Sequence, residues 1–193
     1  MRSVIRLNRK WYFTKKFTHI PQKIDCTWNV VNLPHTWNGI DGQDGDNDYY
    51  RGTGYYAKTL NKTALPAADR YYLEIQGANS SADVYMNGKH LAHHDGGYST
   101  WRCDITEHVG VKTMIVLAVD NAPNQEVYPQ VADFTFYGGL YRDVNYIETH
   151  EAHFDMLLDG TDAVFVTPHN VGKTRVDLFP VNAEGCTLKV RLL

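Results

Sequence analysis

A chain of 193 residues is long enough for one well-cored domain, or for one domain and part of a second, and length alone does not choose between them. Its formal net charge of −3, with Lys and Arg scattered rather than striped, offers no electrostatic footprint for nucleic acid. No apolar run is long enough to span a bilayer, and Arg2, Arg6, Arg9 and Lys10 interrupt any leader-like core at the start. Cys26, Cys103 and Cys186 are odd in number and far apart, which suits reduced thiols, so a cytoplasmic location is the default expectation.

Short alternating or β-branched runs closed by Gly, Asn, Asp or Pro fill the sequence, and no window sustains the i, i+3, i+4 pattern of a helix. Strands are predicted at Tyr55 to Leu60 and at Arg70 to Gln76. The run Ala82 to Leu91 reads as a hairpin, because Asn87-Gly88 supplies the two positive-φ residues of a type I′ turn. Asp104 to His108 reads as one helical turn capped by Asp104 and stopped by Gly110. Further strands are predicted at Thr113 to Val119 and Arg142 to Ile147, and the spacing suggests an antiparallel sandwich or jelly roll. Past Thr149 to Ala152 a second pattern begins, with strands at Ala163 to Thr167, Thr174 to Val181 and Cys186 to Leu192. In the last of these Cys186, Leu188, Val190 and Leu192 alternate with Thr187, Lys189 and Arg191, predicting one buried and one wet face. An immunoglobulin-like sandwich needs about seven strands, so this segment reads as the first strands of a truncated one. The expected division is residues 1–149 and 150–193, with exposed apolar edges in the second part through which the chain associates.

The stretch Ala132 to Val144 sets one acid, Asp133, among aromatics just ahead of Gly138-Gly139 and a strand-like run. A carboxylate accepts two hydroxyls at once, and flanking rings cover the apolar face of a pyranose, so this arrangement suits a sugar. The acidic loop Asp41 to Asp48 invites a calcium reading but fails the spacing: counted from Asp44, Tyr49 stands at the turn glycine and Tyr55 at the bidentate glutamate. A solvated turn or the rim of a sugar site is the preferred reading of that loop. His90, His93 and His94 with Asp95 have metal-ligand chemistry, yet adjacent His93 and His94 point to opposite sides of an extended chain, and the preferred reading is no metal. No Gly-x-Ser-x-Gly elbow is present. Asp133 with one of the 41–48 acids would make a glycosidase pair, but Arg51 or Arg142 beside them favours binding over proton donation. In Tyr49 to Tyr56, alternation is expected to bury one set of aromatics and leave the other at a surface.

Asn32-Leu33-Pro34-His35-Thr36-Trp37-Asn38, then Tyr49-Tyr50-Arg51-Gly52-Thr53-Gly54-Tyr55-Tyr56, then Gly77 to Gly88, then the Asp133 stretch follow one another in an order that resembles the N-terminal sugar-binding domain of glycoside hydrolase family 2. The resemblance covers about residues 5 to 149 and, within the family, is greater to β-galactosidases than to β-glucuronidases or β-mannosidases. It implies a galactose-binding-like jelly roll followed by an immunoglobulin-like domain and a catalytic TIM barrel. In family members the acid at the Asp133 position reaches into the barrel's active site and binds sugar hydroxyls, in some with a sodium ion. The loop before the Tyr55 strand also approaches substrate, which makes Asn47, Asp48 and Tyr49 candidates. The catalytic glutamates, one in an Asn-Glu pair, belong to the barrel, and no Asn-Glu pair occurs here. The resemblance thus implies the accessory region of a retaining exo-β-glycosidase acting on a terminal β-galactoside. The fragment itself is expected to be inactive and to need no cofactor; for the whole enzyme the resemblance implies sodium or magnesium and a homo-oligomer. A free-standing carbohydrate-binding module and a ligand-free scaffold are the alternatives.

Overall fold

The computed structural model describes residues 2–17, 19–39, 41, 49–61, 68–129, 132–170 and 172–191. Asn47, Asp48 and the rest of the acidic loop from 42 to 48 lie outside these, as does Leu192. The strands are β1 (Ser3–Arg6), β2 (Trp11–Thr14), β3 (Asn29–Val31), β4 (Thr53–Leu60), β5 (Arg70–Ile75), β6 (Ser81–Met86), β7 (Lys89–Asp95), β8 (Trp101–Asp104), β9 (Thr113–Asp120), β10 (Val144–Thr149), β11 (His153–Phe154), β12 (Val164–Asn170), β13 (Lys173–Leu178) and β14 (Pro180–Val181). A six-stranded sheet in the order β3-β2-β4-β9-β6-β7 faces a four-stranded sheet in the order β1-β10-β5-β8, and every pairing is antiparallel. The chain is all-β, a jelly-roll sandwich, as the strand spacing predicted.

The inner faces meet in one apolar core in which Trp11, Tyr56, Leu73, Ile75, Leu117 and Tyr146 are fully buried. Asn87 and Gly88 take φ of 49° and 81°, the left-handed pair of the predicted turn. The Asn87 side chain then accepts from the Met114 amide at 2.8 Å, stitching the β6–β7 hairpin to β9. Asp104 accepts from the Thr106 amide at 2.8 Å ahead of a single 3-10 turn, Thr106–His108, so the predicted turn forms with Ile105 as its N-cap.

The alternation expected for Tyr49 to Tyr56 does not leave a free aromatic set on β4. Tyr56 enters the core, while Tyr55 is buried on the opposite face beneath Trp28 and Phe17, because the segment before β3 wraps over the outside of the six-stranded sheet. The outer face of the four-stranded sheet is covered too: Tyr72 and Ile147 pack with Met156 and Phe154 from the chain after β10. For that reason β10 is buried along its whole length.

After β10 come two small sheets, β11 with β14 and β12 with β13, the first strands of a second sandwich. The strand predicted from Cys186 onward is not formed among the described residues, and Leu188 and Val190 are exposed. Alternation alone does not make a strand when no neighbour pairs with its amides and carbonyls. The second part is joined to the jelly roll by Arg102 of β8, whose guanidinium bonds Glu74 of β5 at 2.6 Å and the Met156 and Thr161 carbonyls of the chain beyond β11.

Candidate functional site

The Asp133 loop is held by two fully buried asparagines at one end of the sandwich. Asn38 follows the Leu33 to Trp37 segment and Asn121 follows β9, so both side chains enter from ordered chain. Asn38 Oδ1 accepts from the Gly138 amide at 2.7 Å and from Asn121 Nδ2 at 3.2 Å. Its Nδ2 donates to the Tyr50 carbonyl at 2.9 Å and to Asp41 at 3.1 Å. Asn121 Nδ2 reaches the Phe136 carbonyl at 2.8 Å and the Tyr50 carbonyl at 3.3 Å, and its Oδ1 accepts from the Gly52 amide at 2.9 Å. A neutral amide offers two donor hydrogens and an acceptor oxygen on one uncharged group, which lets this pair join two loops without burying charge.

Close packing explains the two glycines. A Cβ on Gly138 would enter the Trp37 ring and stand 2.8 Å from Asn121 Cγ, while Gly139 takes φ of 120° and packs on the His35 carbonyl. Beneath them Tyr56 and His35 are 2.7 Å apart, Oη to Nδ1, and the Leu140 amide donates to the same Tyr56 oxygen. Burial lowers the His35 pKa and raises that of Tyr56, so a neutral imidazole accepts from a protonated phenol.

Against this frame Asp133 is exposed and engages no hydrogen bond or ion pair among the described residues. It lines a concavity of about 450 Å³ with Tyr49, Arg51, Phe134, Thr135 and Phe136. Tyr49, predicted as a candidate, is brought to Asp133, and its hydroxyl accepts from the Phe136 amide at 3.4 Å. Asn47 and Asp48, the other candidates, lie outside the described residues. The sequence marks Arg51 only as a neighbouring charge. It is a fixed member of the wall: Nε donates to the Asn121 carbonyl at 2.8 Å, and the guanidinium lies 5.0 Å from the Phe136 ring centroid and 5.9 Å from that of Tyr49. Arg142 instead turns away to the Tyr98 and Gln76 carbonyls. Asp41 is structural, accepting from the Tyr50 amide at 2.9 Å and from Asn38. Burial raises its pKa, but these hydrogen bonds outweigh that and leave it below the usual carboxylate range. Asn38 and Asn121 were missed because a buried amide pair has no sequence pattern; Asn38 was visible only as the last residue of a motif.

The histidine cluster is a charge network. His93 Nδ1 contacts Asp83 and Nε2 contacts Asp95, both at 2.9 Å, and Asp95 also accepts from Ser81 and Asn124. His94 lies on the other side of the strand, bonded to Ser99 and stacked on Trp101, as extended chain requires. Hydrogen bonds to Asp95 and then to Asp83 raise the His93 pKa above 6.5. A raised folded-state value means that stabilisation is full below 6.5 and fades as pH climbs through the raised value. Thermal melts from about pH 5 to about pH 9 should therefore lose this contribution toward the alkaline end. In His93→Gln that alkaline decline should flatten, and an unchanged slope would show that solvent screens the cluster fully.

The fold defines a β-sandwich of the galactose-binding type, with an acid presented from a locked loop at its end. The chain belongs to glycosyl hydrolase family 2: the model of that family's galactose-binding domain-like region matches residues 49–154. It is 40% identical over 152 residues to a β-glucuronidase of Bacteroides fragilis, covering 78% of this chain and 21% of that protein. It is 29% identical over 157 residues to a β-galactosidase of Thermoanaerobacterium thermosulfurigenes, covering 75% and 21%. The crystal structure of an FMN-binding β-glucuronidase from Facaelibacterium prausnitzii L2-6 superposes with a TM-score of 0.82 at 36% identity, covering 95% of this chain and 28% of that one. The chain thus spans about a fifth of the length of the curated relatives it matches. Relatives of both names occur, so kinship does not single out the β-galactosidases that the motifs favoured.

Proposed function

We propose that these residues are the N-terminal sugar-binding region of a longer exo-β-glycosidase, and that Asp133 anchors a hydroxyl of the terminal sugar while another domain performs the hydrolysis. The supporting observation is the exposed, uncommitted Asp133 carboxylate on a loop whose backbone is fixed by buried amides. A preset acceptor loses little freedom on binding, and the rings of Tyr49 and Phe134 offer apolar surface beside it. A terminal β-glucuronide is the preferred substrate on the strength of the 40% identity to a β-glucuronidase, with the β-galactoside of the motif reading second. The described lining holds one carboxylate and opposes it with Arg51, which suits a hydroxyl better than a sodium or magnesium ion of this chain's own.

One charge-assisted hydrogen bond contributes roughly 1.5 to 3 kcal/mol, so Asp133→Ala in the complete enzyme is expected to lower kcat/KM roughly tenfold to a hundredfold. Parallel assays with aryl β-glucuronide and aryl β-galactoside identify the sugar by which one the wild type turns over. A wild-type kcat/KM in Asp133→Ala would remove the acid from the site. Turnover of neither glycoside would sink the exo-glycosidase reading, and sugar binding by the isolated chain in an NMR titration would then point to a module.

A further inference from the structure

We propose that the Asn38–Asn121 pair is a positioning device for the acid: it holds the Asp133 loop against the Tyr49–Arg51 loop and so sets where the Asp133 carboxylate stands. This rests on the reading of Asp133 as the sugar-anchoring acid, and it assigns a role to residues that never touch the sugar.

Three loops converge on the pair. From the first comes Asn38 with Asp41, from the second the Tyr50 carbonyl and the Gly52 amide, and from the third the Phe136 carbonyl and the Gly138 amide. Phe136 and Gly138 bracket the carboxyl-terminal side of the Asp133 loop, and Tyr50 and Gly52 bracket Arg51. The amides therefore hold the two walls of the concavity by their backbones on either side of the groups that face it. Both asparagines have 0% exposure, so water cannot replace a lost bond without opening the site. Arg51 reinforces the join by bonding the Asn121 carbonyl and lying over the Phe136 ring. The arrangement is also one-sided in its chemistry. Asn121 Nδ2 faces only oxygens, those of Asn38, Tyr50 and Phe136, so any residue that cannot donate there leaves acceptors facing acceptors.

A residue that acts through Asp133 should matter only when Asp133 is present. The test is a double-mutant cycle in the complete enzyme, with Asn121→Ser and Asp133→Ala singly and together, reading kcat/KM on the glycoside that the wild type hydrolyses. Asn121→Ser alone is expected to lower kcat/KM roughly tenfold. In the Asp133→Ala background the same change is expected to cost less than about twofold, with kcat/KM rather than melting temperature carrying the coupling. Equal losses in both backgrounds would overturn the proposal, since Asn121 would then act on the fold and not through the acid. If Asn121→Ser does not fold, Asn38→Ser, which removes the acceptor for the Gly138 amide, enters the same cycle with the same two outcomes. An Asp133→Ala enzyme of wild-type activity would instead overturn the reading on which this one stands, and the cycle separates the two failures.

Discussion

Glu74→Ala is expected to lower the free energy of unfolding by about 3 to 5 kcal/mol, the range for breaking a buried ion pair by removing one partner. Glu74 and Arg102 bond at 2.6 Å with side chains only 8% and 5% exposed. Glu74 also accepts from Asn145 at 2.8 Å and from Gln76 at 3.3 Å. Burial alone would raise its pKa, but the Asn145 and Arg102 hydrogen bonds and the guanidinium charge outweigh that, and the carboxyl sits below its ordinary 4.5. Because the folded value is depressed, the contribution is complete above 4.5 and is lost as pH falls through the folded value. The mutant deficit should accordingly shrink in acid.

Removing the carboxylate leaves Arg102 with the Met156 and Thr161 carbonyls but no nearby buried counter-charge; Asp162 is 3.7 Å away and exposed. At roughly 2 to 4 °C per kcal/mol for a domain of this size, the melting temperature should fall by roughly 10 °C. The paired change Glu74→Leu with Arg102→Met should recover part of the loss, since no charge is then stranded. It should not recover all of it, because the carbonyls that Arg102 serves stay unpaired. A single-mutant cost below about 1 kcal/mol would place the pair in the class of solvated surface bridges.

Legibility in the sequence followed the range over which each determinant acts. The Asn87-Gly88 hairpin was readable because a type I′ turn is specified by two adjacent residues, and β4, β5, β9 and β10 because alternating and β-branched runs are local. Tyr55 was misjudged because its burial depends on Trp28 and Phe17, far away in sequence, folding over the outer face. The strand predicted from Cys186 failed among the described residues for the complementary reason: alternation says which face would be buried, but pairing needs a partner strand. At the candidate site, motif order singles out Asp133 and Tyr49 as candidates, and the concavity they share was not foreseeable in shape. Asn38 and Asn121 stand 83 positions apart, and nothing in either neighbourhood announces that their amides meet.

A further tie between the two parts of the chain predicts a result that separates backbone strain from packing. Asp159 and Gly160 take φ of 49° and 66°, and the Thr161 amide donates to the Leu158 carbonyl at 2.9 Å, forming a type I′ turn. This turn lies against the start of β8: a Cβ on Gly160 would run into the carbonyl of Thr100, just ahead of the strand, a backbone group that cannot swing aside as a side-chain tip can. Gly160→Ala therefore combines a left-handed alanine, about 1 to 2 kcal/mol, with overpacking of about 1 to 3 kcal/mol. The displaced turn would also draw the Thr161 carbonyl away from Arg102. Gly185 provides the comparison, since it has φ of 75° but nothing within 4 Å of its would-be Cβ. Gly185→Ala should cost only the conformational share, about 1 to 2 kcal/mol, whereas Gly160→Ala should cost roughly 2 to 5 kcal/mol. Hydrogen exchange at Thr161 and Ala163 should quicken in the Gly160 variant alone, because its turn is levered from the sheet while that of Gly185 stays in place. Equal costs, or unchanged exchange at Thr161, would mean that the chain at the start of β8 yields to the added methyl and that the two parts are held together without help from this turn.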